Sequence, residues 1–280
     1  MKRVALLATL LVAAACGSFG AQAHTLSLAY KAGDTYKYKF HATSKQTASM
    51  SGMAIPITLD MTADESVSVK SVDAGGVADL TLTLTDLSIK TVTGGVTNTT
   101  TGVPSNSTDV KVRSDGTVVS VDGKDVTSGN PLSAITGLGG GFFVTAVLPD
   151  HAVKVGDAWS KTYDQAFPKG LGMLHVVSNS KYVRDENVNG VSAAVIETSS
   201  TGSIDMNGTS TAKQLSVNGT FTTDTTTWLD PSGHRVIKSH AAGHDEVTIT
   251  IPSLSTTANA PMIQGPVTAT GDSTTDLNPA

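Results

Sequence analysis

Apolar and polar residues alternate with period two along much of this chain. Ile57, Leu59, Met61, Ala63, Val67 and Val69 share one parity, against Thr58, Asp60, Thr62, Asp64, Ser66, Ser68 and Lys70 on the other. Side chains on a strand point alternately to opposite faces, so this pattern predicts an amphipathic strand with one buried face. Unbroken, it would run about 46 Å at about 3.3 Å per residue, well beyond the usual strand of roughly five or six residues. Glu65 is its misfit, a carboxyl at an apolar-parity position. Tyr36, Tyr38 and Phe40 alternate in the same way with Lys37 and Lys39, as do Val247, Ile249 and Ile251 with Thr248 and Thr250. Through Leu80, Leu82, Leu84, then Leu87 and Ile89, the parity flips near Thr85-Asp86, which predicts a β-bulge there.

Turn residues fall between these runs, as Asp73-Ala74-Gly75-Gly76, Ser114-Asp115-Gly116, Asn187-Val188-Asn189-Gly190 and Asp230-Pro231-Ser232-Gly233. Each supplies Gly where a tight hairpin needs positive φ, so the sheet should be mainly antiparallel. The turns also expose an internal repeat. Lys31-Ala32-Gly33-Asp34-Thr35-Tyr36 recurs as Lys154-Val155-Gly156-Asp157-Ala158-Trp159. Val72-Asp73 with Gly76-Val77-Ala78 is answered by Val183-Arg184 with Gly190-Val191-Ser192-Ala193. Asp115-Gly116-Thr117-Val118-Val119 is answered by Ser232-Gly233-His234-Arg235-Val236-Ile237. Three landmarks in one order at near-constant spacing predict two similar halves.

The expected fold is therefore all-β, with long antiparallel strands in a curved sheet, half-barrel or sandwich made of two similar halves and one short helical segment between them. Residues 24–129 form the first half and 149–252 the second. Between them, 130–148 reads as an apolar connector: Asn130 caps a short helix, Pro131 stands at its first position, and the Gly137–Gly141 stretch ends it. Residues 253–280 read as either an edge strand or a disordered tail.

The start of the chain reads as a secretory signal over residues 1–23. Lys2 and Arg3 precede an uncharged apolar run from Val4 to Ala15, too short for the roughly 20 residues that span a bilayer. Ala21-Gln22-Ala23 is the favoured cleavage site. Ala13-Ala14-Ala15-Cys16 also matches a bacterial lipoprotein signal, in which Cys16 would carry the lipid. Either route predicts an extracytoplasmic chain: periplasmic, secreted or lipid-anchored in the envelope. Cys16 is the one cysteine, so no disulfide forms within the chain, and stability rests on burial and strand ladders.

Composition agrees with the pattern, since Ser, Thr, Gly and Val are abundant while Glu, Gln and Arg are sparse. The formal charge is −5, with both signs interspersed and no basic stripe, which speaks against nucleic acid as a partner.

Candidate chemistry is thin. Asp185, Asn187 and Asn189, with Gly190, match the front of a calcium-binding EF-hand loop, but the twelfth position is Ile196 rather than a bidentate acid. A polar hairpin with Asn-Gly at its tip is the competing reading. His234, His240 and His244 form the densest group of metal-ligand residues, although on one strand His240 and His244 would stand about 13 Å apart. There is no G-x-S-x-G elbow, Ser178-Asn179-Ser180-Lys181 lacks its companion motifs, and the Gly137–Gly141 stretch lacks the Lys of a phosphate loop. No catalytic residue and no cofactor are assigned.

The K-x-G-D-x-[YW] opening, the segment from Leu148-Pro149-Asp150 to Val155-Gly156-Asp157-Ala158-Trp159 and the Asp-x-x-Gly hairpins together resemble a family of uncharacterised exported bacterial proteins, most of them lipoproteins of unknown function. The resemblance covers residues 26–252 and implies no catalytic residues. More distantly, long curved strands with an apolar segment at the sheet's mouth are similar to the lipoprotein-carrier half-barrels, which shelter acyl chains on a concave apolar face. The functional expectation is a non-enzymatic envelope protein that binds a lipid or other apolar small molecule, with Leu132, Ile135, Leu138, Phe142, Phe143 and Val144 as a lid. The alternative is a structural or adhesive surface protein whose partners are envelope components.

Overall fold

The computed structural model of the chain describes residues 23–50, 52–125, 147–166, 172–210, 213–250 and 266–280. The strands are β1 (Thr35–Met50), β2 (Met53–Val72), β3 (Ala78–Thr93), β4 (Val96–Thr100), β5 (Asn106–Val112), β6 (Val118–Val121), β7 (Lys124–Asp125), β8 (Ala158–Ala166), β9 (Gly172–Val188), β10 (Val191–Ser210), β11 (Lys213–Asp230), β12 (Arg235–Thr250) and β13 (Pro266–Pro279). They form one antiparallel sheet in the order β7-β6-β5-β3-β2-β1-β13-β12-β11-β10-β9-β8, with β4 beside the far half of β3. Along this path the neighbours follow chain order, β4 aside, and the exception is the pairing of β1 with β13. The fold is thus a meander wound back on its own start and left unclosed between β7 and β8.

The 130–148 helical segment expected between the halves lies mostly outside the described residues. The C-terminal strand β13 is an interior strand rather than an edge, because β1 pairs with it over Tyr38–Met50 and β12 pairs with it over Ser239–Thr250.

Alternation carries the long strands. In β2 Ala63, Glu65, Val67 and Val69 are buried, while Asp60, Thr62 and Lys70 are exposed. The expected parity flip in β3 is a bulge: Thr62 pairs with Ser88 and Asp64 with Thr85, leaving one extra residue on β3, and Asp86 there has φ 51°. Further bulges recur at matching places. Lys70 is the extra residue of β2 and Val183 that of β9, while Val119 is extra in β6 and Ile237 in β12.

The two K-x-G-D turns dock in the same way. Gly33 N donates to Val69 O, Asp34 N to Lys31 O, and Val69 N to Asp34 O. Gly156 N, Asp157 N and Tyr182 N repeat this set with Tyr182, Lys154 and Asp157. Gly33 and Gly156 have φ 90° and 99°, a conformation open to glycine at little steric cost.

These turns, and the β2–β3, β5–β6, β9–β10 and β11–β12 turns, all lie at one end of the sheet, the base. Residues 24–30 and 147–153 cross it. Leu28 N donates to Ser114 O in the β5–β6 turn and Ala29 N to His234 O in the β11–β12 turn. His24 and Val153 exchange backbone hydrogen bonds at 2.7 and 2.9 Å. Leu148 N reaches Asp115 O beside one margin of the sheet, while Val147 O accepts Trp159 Nε1 from β8 at the other margin. A flat sheet would hold β5 and β9 roughly 38 Å apart at about 4.8 Å per strand. Yet Val110 and Val112 of β5 share one buried cluster with Tyr182 of β9 and Ile196 of β10, through Leu26, Leu28, Leu148 and Val153. The sheet is therefore curled, with its margins drawn together at the base.

Candidate functional site

The concave face of the curl carries the side chains with the parity of Phe40, Leu82 and Ile196. Register turns it into layers stacked from base to rim. In one layer Ala63, Phe40 and Leu277 sit side by side, continued by Thr227, Ile196 and Tyr182, all buried. The next layers are lined by hydroxyls and small side chains. Thr275, Ala241, Thr225, Thr198 and Ser180 come first, then Ser44, Ser273, Gly243, Thr223, Ser200 and Ser178. Neighbouring hydroxyls satisfy one another, Ser180 with Thr198 at 2.8 Å and Ser178 with Ser200 at 2.9 Å.

Towards the rim the face becomes apolar again. Leu174, Val176, Ile204, Met206 and Val217 form a separate buried cluster with Phe221, Val247 and Ile249 packed on it. Ile57, Leu59 and Met61 of β2 are half-buried on the same face. Phe221 lies across its cross-strand partner Gly202, where an added Cβ would come within 2.1 Å of the ring. The ring therefore covers backbone, and Gly202 is the residue that permits it.

Carboxyls also stand on this face. Asp245 stands between Gly271 and Phe221, and burial raises its pKa above the usual carboxylate range. Glu65 lies deeper, flanked by Tyr38 and Leu84 across the ladders and 2% exposed. Burial alone pushes its pKa up to about 8, so the carboxyl is mainly neutral at pH 7. Tyr38, beside it, donates to Val236 O at 2.8 Å, and burial raises that phenol's pKa too. Arg235, at the base, is committed elsewhere, over the Tyr36 ring at 5.6 Å and 3.8 Å from Asp230. Glu65 Oε2 has no hydrogen-bond partner among the described residues, and neither has Thr227 Oγ1, which is 1% exposed on the same face.

Comparison with protein-family models gives no match. Comparison with curated proteins gives none either.

The residues singled out in the sequence fall apart spatially. Leu132, Ile135, Leu138, Phe142, Phe143, Val144 and Cys16 lie outside the described residues. Asp185 and Asn187 sit on extended β9, with Asn189 and Gly190 at the tip of a two-residue turn at φ 51° and 87°. Asn187 Oδ1 accepts Gly190 N at 2.9 Å, and Asp185 accepts the Tyr182 hydroxyl. The chain runs straight from this turn into β10. Among the described residues there is no group of three or more His, Cys, Asp or Glu side chains that could hold a metal ion.

The histidines are dispersed over cross-strand pairs. His240 Nδ1 is 2.7 Å from Asp276 and His244 Nδ1 2.8 Å from Asp272, both on the convex face, while His234 bonds Ser27 near the base. Asp276 stands in register between His41 and His240, and Asp272 between Lys45 and His244. Each convex-face carboxylate of this seam strand thus faces a basic or imidazole side chain from both neighbours. Sequence reasoning noticed Glu65 but not Thr227. A threonine at an apolar-parity position in a chain this rich in threonine carries no distinguishing signal.

Proposed function

We propose that the chain is an exported envelope protein without a catalytic role, which binds an apolar or amphipathic molecule against the concave face of its curled sheet. The observation that carries this reading is the layering of that face, with an apolar base, a belt of mutually bonded hydroxyls and a second apolar cluster at the rim. The rim cluster continues into partly buried Phe221, Val247 and Ile249 on strands of an unclosed sheet. Contiguous apolar surface on a concave wall with a few placed polar groups suits an aliphatic or ring-bearing ligand. The signal-like pattern of residues 1–23 supports binding in the envelope, and the absence of a basic stripe speaks against nucleic acid.

The test is native mass spectrometry of the purified chain together with titration of a fluorescent fatty-acid probe. Copurified lipid, or saturable probe binding that Val176→Asp weakens at least tenfold, supports the reading. A chain that carries no lipid and does not bind the probe removes it. In that case the structural or adhesive reading takes its place, supported by the threonine rows of the convex face, where Thr43 and Thr274 bond at 2.8 Å.

A further inference from the structure

A carboxyl on the apolar wall of a curled sheet requires an explanation, because an unpaired buried polar atom costs roughly 1–3 kcal/mol. Glu65 could have been any aliphatic residue without disturbing the alternation of β2. Its neighbours across the ladders, Tyr38 and Leu84, do not bond it, and Oε2 is left without a partner 2% exposed. A second such atom lies one layer nearer the rim on β11, where Thr227 Oγ1 is buried without a partner between Ser239 and Ile196. The two atoms stand four strands apart, so each marks its own unmet polar demand, and the carboxyl is the costlier of the two to leave unpaired. Both belong to the face on which Ala42, Ala241, Ser44, Ser273 and Gly243 leave a floor of small side chains.

We propose that Glu65 is the polar anchor of the concave face and hydrogen-bonds an uncharged hydroxyl at the buried end of a bound amphipath. This inference rests on the ligand-binding reading above. The choice of head group follows from the chemistry of the wall. A neutral carboxylic acid donates through O–H and accepts through C=O, and an alcohol complements both. A ligand ammonium would require an ionised Glu65 in apolar surroundings, close to the region where Arg235 already sits over Tyr36. A ligand carboxylate would meet the apolar wall without a buried cation to pair with.

The experiment is competition against a bound fluorescent probe on the full chain at pH 7, with dodecanol, dodecylamine, dodecanoate and dodecane as competitors. The parent protein should prefer dodecanol to dodecane by about five- to tenfold, the effect of about one net hydrogen bond. Glu65→Leu should level the two competitors, while Glu65→Gln, which keeps a donor and an acceptor, should keep most of the preference. Thermal melts of both variants verify that they fold. Equal competition by dodecanol and dodecane in the parent, or an unchanged preference in Glu65→Leu, overturns the proposal while leaving apolar binding intact. Preference for dodecylamine that Glu65→Gln abolishes overturns it in favour of an ionic anchor, and preference for dodecanoate overturns it as well. If no competitor displaces the probe, ligand binding by the concave face fails together with the anchor.

Discussion

Glu65 also sets a pH dependence of stability whose sign can be worked out. Its pKa in the folded chain is about 8, against an ordinary 4.5. A raised folded-state value means that the stability the neutral acid contributes is complete below pH 4.5 and is lost as the pH rises through 8. The difference bounds the effect at roughly 4 to 5 kcal/mol at about 1.4 kcal/mol per pH unit. Glu65→Gln should therefore melt close to the parent at pH 4 and clearly above it at pH 9. Parallel melting curves for the two proteins across that range would contradict the burial of this carboxyl. Gly202 makes a second prediction at this scale. Gly202→Val would drive a side chain into the Phe221 ring, and overpacking of this kind costs about 1–3 kcal/mol, read as a lower denaturation midpoint. A midpoint equal to the parent's would show that the ring does not lie on that glycine.

At the scale of elements, much was legible before the fold was known. Period-two alternation marked β2, the start of β1 and the end of β12, and the parity flip at Thr85-Asp86 is the bulge at Asp86. Asp86 holds φ 51°, a left-handed conformation that aspartate tolerates and β-branched residues resist. Asp86→Val should cost about 1 kcal/mol or more in chemical denaturation while Asp86→Gly stays near neutral; equal losses would mean that the bulge can reposition. The place of β13 was not legible. Alternation reports which face of a strand is buried, not which strand lies beside it, and the β1–β13 pairing joins the two ends of the chain. The sequence of β13 gave little help, because between Val267 and Leu277 its concave-face positions Ala269, Gly271, Ser273 and Thr275 are small or polar, and the burial of Gly271 and Thr275 comes from the curl rather than from hydrophobicity. The seam position has a consequence for truncation. Removing residues 266–280 would strip both β12 and β1 of a partner along most of their length. The truncated chain should aggregate or lose its cooperative melt, whereas removal of an edge strand would leave most of the transition in place.

For the whole molecule, the repeat written in the turns corresponds to a repeated construction. The K-x-G-D docking bonds, the paired bulges at Lys70 and Val183, and those at Val119 and Ile237 recur in both halves. Winding the two halves side by side yields a long curled sheet, and crossing its base with residues 24–30 and 147–153 draws the margins together. That arrangement turns a face with alternating apolar positions into a concave wall, which no local stretch of sequence could announce. The candidate site was legible only as an anomaly, the acid at an apolar position, since its meaning depends on which groups the curl brings near it. Ligand binding as proposed requires that the concave face, and not the threonine-rich convex one, takes up the ligand. Photolabelling with a diazirine-bearing fatty acid, followed by peptide mapping, tests it directly. Label should fall on concave-face positions such as Leu174, Val176, Ile204, Met206 and Phe221. Label concentrated on convex-face positions such as Thr201, Thr222 and Thr270, or no light-dependent label at all, would contradict it.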